Sequence, residues 1–178
     1  MAKKKVNEHM IEIVKADITE LVVDAIVSSA NPTLLGIGEV ASAIHRAAGP
    51  KLLAECRYLG GCSIGEAKIT KGHDLFAKYV IHTVGPVYTG KENCPEAEWL
   101  ASCYTASLKR AMGKRLRSIA FPCISTGACG YPKLPAAEVA LKTVAKFLQE
   151  NPGSFERVIF VTYDEEDFKI YRAMIGGL

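Results

Sequence analysis

The 178-residue sequence lacks most of the features that assign a function at once. No apolar run reaches membrane-spanning length, which excludes a helical membrane protein. Met1-Ala2-Lys3-Lys4-Lys5 leads into Val6-Asn7-Glu8-His9 instead of an apolar signal core, so a cytoplasmic location is expected. Charge of one sign is scarce: a net +3 is too little to indicate a nucleic-acid partner. The dense stretch from Lys109 to Arg117 reads as the solvated, dipole-compensating end of a helix, and a nucleic-acid module using it ranks last. The six cysteines form no CxxC pair and no histidine stands at ligand spacing, so neither a metal site nor a secreted disulfide framework is expected. There is no P-loop, and no G-x-S-x-G elbow, repeat, linker or low-complexity stretch is read in the chain.

What the chain does have is the profile of one globular domain over residues 1–178, with residues 1–8 a flexible tip; 49% of its residues are hydrophobic and 23% charged. It is organised around one turn, Phe121 to Pro132. An apolar run from Ser118 to Ile124 stops at Ser125-Thr126-Gly127, and a helical pattern resumes at Pro135-Ala136-Ala137-Glu138. Strand, small-residue loop and helix in that order leave main-chain N–H groups beside the positive end of a helix dipole, a setting suited to a phosphate or pyrophosphate. An ordinary strand-to-helix connection uses the same residues. A second small-residue loop, Ala30 to Gly38, follows the apolar strand Ala25–Ser29 and precedes a helix that is interrupted at Gly49-Pro50.

Further strands are expected at Met10–Lys15, Glu66–Gly72, Tyr79–Val84 and Arg157–Tyr163, and helices at Glu96–Met112, Ala136–Leu148 and after Asp164. Alternation after an opening hairpin-like pair, Met10–Lys15 with the strand ending at Ser29, indicates a three-layer α/β/α sandwich with a mixed, mostly parallel sheet. Ligands of such sheets sit beyond the C-terminal strand ends. The loops Asp17–Thr19, Ala30–Glu39, Ser125–Tyr131 and the segment after Tyr163 are expected to meet there. Gly36-Ile37-Gly38-Glu39-Val40-Ala41 matches G-x-G-x-x-G/A in letters only, because six residues separate it from Ser29 where the dinucleotide fingerprint needs a tight turn.

At these loops the chain resembles the macro domain, closest to its MacroD-type bacterial branch. The resemblance rests on Ala16-Asp17-Ile18-Thr19, Val23-Asp24-Ala25-Ile26-Val27, Ala30-Asn31, Leu34-Leu35-Gly36, Ala43-Ile44-His45-Arg46-Ala47-Ala48-Gly49-Pro50, Gly65-Glu66-Ala67, Tyr79 to Pro86, and Ile124-Ser125-Thr126-Gly127 with Gly130-Tyr131-Pro132. It implies the same sandwich, ADP-ribose or a derivative as ligand, ADP-ribosylated proteins as partners, and no cofactor or metal. By the resemblance Asp17, with the Ile18 N–H beside it, reads the adenine amino group; as an ordinary residue Asp17 caps a turn. Tyr163 lies against adenine, where base stacking contributes roughly 1–3 kcal/mol. The backbone of Gly36, Gly38, Glu39 and Val40, and of Ser125, Thr126, Gly127, Ala128, Cys129, Gly130 and Tyr131, cradles the diphosphate, and Asn31 bonds the distal ribose. His45 and His82 read as structural.

The departures cluster at the distal ribose. Hydrolytic MacroD-type members carry a run of four glycines and then Val-Asp-Gly, with the Asp activating water; here the run is Gly36-Ile37-Gly38-Glu39-Val40-Ala41-Ser42. Ala41 cannot take a proton, and losing a general base costs about 10²–10⁴ in rate. Ser28 replaces the first asparagine of the family's V-N-A-A-N, and Cys129 replaces the aromatic that packs on the ribose. Two expectations follow: an ADP-ribose binder with little chemistry, or an ADP-ribosyl-ester or O-acetyl-ADP-ribose hydrolase whose candidate catalytic residues are Asn31 and Glu39, or which uses a substrate phosphate.

Overall fold

The computed structural model describes residues 1–7 and 9–178. Among them, strands β1 (Ala2–Val6), β2 (His9–Lys15), β3 (Ala25–Ala30), β4 (Ala67–Lys71), β5 (Tyr79–Val84), β6 (Ser118–Phe121) and β7 (Arg157–Thr162) form one sheet in the order β1-β2-β7-β6-β3-β5-β4. The five inner strands run parallel, and β1 and β4 are antiparallel at the two edges. The helices are α1 (Glu39–Ala48), α2 (Pro50–Arg57), α3 (Glu96–Gly113), α4 (Lys133–Glu150) and α5 (Glu165–Ile175).

Alternation along each strand sends successive side chains to opposite faces. Val27, Ile81, Ile119, Phe121, Val158 and Phe160 pack with Leu100 of α3, Leu141 of α4 and Tyr171 of α5 in one core. Ile26, Val80, Ala120, Ile159 and Val161 pack with Ile44 of α1 and Leu52 of α2 in the other. The three-layer mixed sandwich expected from the sequence is thus the fold observed. Because the inner strands are parallel, the segments after β2, β3, β5, β6 and β7 all emerge at one edge of the sheet.

Three local expectations are corrected. The lysine-rich start, expected as a flexible tip, is strand β1 over Ala2–Val6, while Glu8 of that tip lies outside the described residues. Alternation explains the strand: Lys3 and Lys5 face solvent, Val6 is buried, and Lys4 donates to the carbonyls of Gly176 and Leu178. The hairpin partner of β2 is this strand and not β3, which lies beyond β7 and β6. Finally, β6 stops at Phe121 instead of Ile124, since Pro122 has no N–H for the ladder, and α4 begins at Lys133 because a first turn tolerates Pro135.

One buried charge braces the sheet. Glu12 on β2 accepts from the Arg157 guanidinium on β7 at 3.0 and 3.3 Å, with Lys3 3.6 Å away. The hydrogen bond from Arg157 holds the carboxyl below its ordinary value, against burial, which pushes it up. A depressed carboxyl stabilises the fold fully above its unfolded value near 4.5 and loses that contribution as pH falls through the folded value. The urea midpoint of the wild type is therefore expected to fall more steeply below pH 4.5 than that of Glu12→Gln; parallel pH profiles would contradict this.

Candidate functional site at the C-terminal strand edge

The loop between β3 and α1 is built so that its main chain points outward. Leu34 adopts φ +61 and is fully buried, anchoring the loop, and the Leu34 N–H donates to the Asn31 carbonyl at 3.0 Å. Gly36 and Gly38 have φ +82 and +112, which a side chain would strain. Gly36 also rests on the His45 ring, so that a Cβ there would meet the imidazole at 2.9 Å. Gly38 precedes α1 without any side-chain cap. As a result the N–H groups of Gly36 to Val40 have no protein acceptor among the described residues.

The loop after β6 repeats the device. Ser125, at φ +65, turns the chain, and the N–H groups of Gly130 and Tyr131 close the loop on the carbonyls of Gly127 and Ser125, both at 2.9 Å. The N–H groups of Ser125 to Cys129 remain without a protein acceptor among the described residues. Gly130 and Tyr131 therefore spend their amides inside the loop, which narrows the donor run expected from the sequence. Tyr88 pins the loop from the β5 side: its N–H donates to the Cys129 carbonyl at 2.8 Å, and its ring lies 5.0 Å from that of Tyr131.

At the β2 end, Asp17 caps a 3-10 turn, Ile18–Glu20; one carboxylate oxygen, Oδ1, accepts from the Thr19 N–H at 2.9 Å and the Thr19 hydroxyl at 2.7 Å. The capping role is real, and Oδ2 is left over among the described residues. Asn31 is held similarly, with Oδ1 accepting from the Thr33 hydroxyl at 2.7 Å and its amide NH₂ without an acceptor among the described residues. Tyr163 follows β7 and is 80% exposed. Glu39 is exposed in the first turn of α1, whereas Ala41 is 1% exposed. The cluster Lys109 to Arg117 ends α3 and enters β6, at the opposite edge of the sheet.

Several contributors were not legible in the sequence. Gly85, read as a strand stop, has a Cβ position only 2.1 Å from Ser125 Oγ, so only glycine lets the second loop lie against β5. Ser28 and Ser125 carry buried hydroxyls with no partner among the described residues. Lys133 bonds Asp164 at 3.0 Å and Glu166 at 2.9 Å, with Asp167 at 3.4 Å, joining the end of the second loop to the segment after Tyr163. These carboxylates, Glu166 and Asp164 foremost, hold the ammonium well above its ordinary range. Gly61-Cys62-Ser63-Ile64-Gly65 does spell G-x-S-x-G, but it leads from α2 to β4 and Ser63 is exposed, so it is not a strand-to-helix elbow.

Fold and edge together define an open α/β protein whose strand ends present two runs of unpaired amides, the setting of an anion-binding rim. The family model of the macro domain matches residues 27–140. The chain belongs to the macro domain family. It is 57% identical over 162 residues to the ADP-ribose glycohydrolase MACROD2 of Xenopus laevis, covering 91% of this chain and 39% of that protein. It is likewise 57% identical over 168 residues to the macro domain-containing protein CT2219 of Chlorobaculum tepidum, covering 94% and 96%. The chain thus spans about two fifths of the vertebrate relative and nearly all of the bacterial one. The structure of the Oceanobacillus iheyensis macrodomain with ADP has a TM-score of 0.93 at 40% identity, covering 99% of this chain and 95% of that one. The Trypanosoma brucei macrodomain in complex with ADP-ribose has a TM-score of 0.88 at 44% identity, covering 93% and 69%.

Proposed function

We propose that this chain, as a single domain, binds ADP-ribose, free or attached to protein, along the C-terminal edge of its sheet. The observation that carries the reading is the pair of amide runs, Gly36 to Val40 and Ser125 to Cys129, left without protein acceptors. Ten N–H donors flanking adjacent strands, one run opening α1, suit two linked phosphoryl groups. Asp17 Oδ2 accepts from the adenine amine, Tyr163 lies on the purine, and the Asn31 amide bonds the distal ribose. The relatives named for ADP-ribose chemistry and the neighbours holding ADP or ADP-ribose support this reading. Calorimetry with ADP-ribose is expected to give a saturable one-to-one isotherm; absence of heat at millimolar ligand would overturn it.

Lys133 tests the link between the two halves of the site. Lys133→Ala frees the segment carrying Tyr163, and affinity for ADP-ribose is expected to fall a few-fold, on the order of 0.5–1 kcal/mol for a networked surface pair. Unchanged affinity would remove Lys133 from the site.

A second reading has support in Glu39. It is exposed on the turn whose amides face the diphosphate, while Ala41 has no titratable group. If the domain hydrolyses an ADP-ribosyl ester, Glu39 supplies the carboxylate. In that case Glu39→Gln lowers release of ADP-ribose from an ADP-ribosylated acidic protein by about 10²–10⁴. Release at the level of the blank in the wild type would leave the binding reading alone.

A further inference from the structure

The connection from β5 to α3 touches the second loop at both ends of its amide run. At the near end Gly85 lies so close to Ser125 that a Cβ there would sit 2.1 Å from the Ser125 Oγ. At the far end the Tyr88 N–H donates to the Cys129 carbonyl at 2.8 Å. Between these contacts the amides of Ser125 to Cys129 have no protein acceptor among the described residues. Gly85 is placed by the strand before it, since β5 ends at Val84. Tyr88 belongs to no strand or helix, and what holds it lies further along the chain.

From Val87 to Trp99 one residue is buried, Glu96, which is 5% exposed in the first turn of α3. Its carboxylate reaches back over the connection: Oε1 accepts from the Thr89 N–H and from the Thr89 hydroxyl, both at 2.6 Å. The bond from the Thr89 hydroxyl does most to hold the carboxyl below its ordinary value; burial opposes it, and the Thr89 N–H, the Cys94 thiol and the Gly90 N–H add to it. All of these partners are neutral, and the dipole of α3 favours a negative charge in its first turn. The Tyr88 ring packs 5.0 Å from that of Tyr131, the buried residue that closes the second loop. Burial first, and the Glu96 charge after it, push the Tyr131 hydroxyl up, so the carboxylate lies beside the end of that loop as well.

We propose that Glu96 is a positioning residue for the second loop: by fixing Thr89 it fixes the Tyr88 N–H, and through the Cys129 carbonyl the outward set of the Ser125 to Cys129 amides. The inference rests on the binding reading above and deepens it, since Glu96 acts on the diphosphate without touching it. The peptide plane between Cys129 and Gly130 is held on both sides, its carbonyl by the Tyr88 N–H and its own N–H by the Gly127 carbonyl at 2.9 Å. A planar peptide passes a rotation at one side to the other. Freeing the carbonyl side lets the plane turn, and donors aimed at phosphate oxygens weaken steeply as they leave the line of the bond. The loss falls on the diphosphate, while the hold of Asp17 on adenine stays as it was.

Calorimetry with ADP-ribose and ¹H–¹⁵N spectra of the free proteins, on the wild type, Glu96→Ala, Glu96→Gln and Thr89→Val, test it. Glu96→Ala is expected to weaken ADP-ribose binding by about two- to tenfold, the worth of one net hydrogen bond. In its free spectrum the amides of Tyr88 and of Ser125 to Cys129 move, and those of Gly36 to Val40 stay. Glu96→Gln keeps an acceptor oxygen for both Thr89 donors and is expected to restore most of the affinity and the loop signals. Thr89→Val changes an exposed residue, is expected to melt as the wild type does, and repeats the loss in smaller measure, so it decides the matter if Glu96→Ala unfolds. Shifts confined to Thr89 to Cys94 with affinity unchanged would overturn the proposal and leave Glu96 as the cap of its own connection. A wild type without an isotherm would overturn the binding reading instead, and the free spectra, read without ligand, tell the two failures apart.

Discussion

Replacing Ala41 by Asp raises the release of ADP-ribose from an ADP-ribosylated acidic protein by about 10²–10⁴-fold, the range that a positioned general base contributes. The expectation comes from where Ala41 stands. It is the third residue of α1, next to the unpaired amides of Glu39 and Val40, and it is 1% exposed. A carboxylate in the first turn is favoured by the helix dipole, and burial lifts its pKa toward that of an effective base. Ala41→Asn, of nearly the same shape but without a base, is expected to gain nothing. If Ala41→Asp binds ADP-ribose normally and gains nothing either, the missing carboxylate is not the sole defect. Adding Cys129→Tyr then tests the ribose wall, and an inert double variant extends the loss to Ser28.

Asp17→Ala weakens ADP-ribose binding by about 10–150-fold, equivalent to the roughly 1.5–3 kcal/mol of a hydrogen bond to a charged group. Because Asp17 Oδ1 also caps the Ile18–Glu20 turn, alanine removes a structural bond as well. Asp17→Asn separates the two roles. Its side-chain oxygen can still cap, while its NH₂ group faces the adenine amine donor to donor. Asn at this position is therefore expected to keep the thermal melt of the wild type and to lose affinity nearly as Ala does. Comparison with inosine diphosphate ribose, which has a carbonyl oxygen where adenine has its amine, sharpens the result: it should bind the wild type weakly and Asp17→Asn, whose NH₂ can donate to that oxygen, better than Asp17→Ala. Equal affinity of wild type and Asp17→Ala for ADP-ribose would remove Asp17 from the recognition of adenine.

Much of the architecture could be read from local signals. Tyr79–Val84 is bounded by Gly85-Pro86, α1 and α2 are divided by Gly49-Pro50, and Asp164 opens α5 as an N-cap accepting from the Asp167 N–H. Each boundary is a short-range event, set by φ, by a missing N–H or by a cap. What escaped was settled at long range. The lysines of β1 resemble a solvated tip until pairing with β2 and bonds to the C-terminal carbonyls are seen. Likewise, the contact of Cys56 on α2 with His82 on β5 joins side chains 26 residues apart, and Lys133 looks like an ordinary helix residue until α5 places three carboxylates around it.

The candidate site divides along the same line. Gly36, Gly38 and Ser125-Thr126-Gly127 announce outward-facing backbone by residue type alone, and their amides have no protein acceptor among the described residues. The use of the Gly130 and Tyr131 amides within their own loop depends on turn geometry that composition does not encode. Gly85 shows the limit most clearly: its necessity lies in a neighbour 40 residues away, Ser125, whose hydroxyl occupies the space a side chain would take.

The most direct measurement is a ¹H–¹⁵N titration with ADP-ribose, followed residue by residue. The amide protons of Gly36 to Val40 and of Ser125 to Cys129 should show the largest shifts, downfield as they take up phosphate oxygens, while Gly130 and Tyr131 change less. Saturation with those ten amides unmoved, or with the shifts gathered around Lys109 to Arg117, would contradict the account.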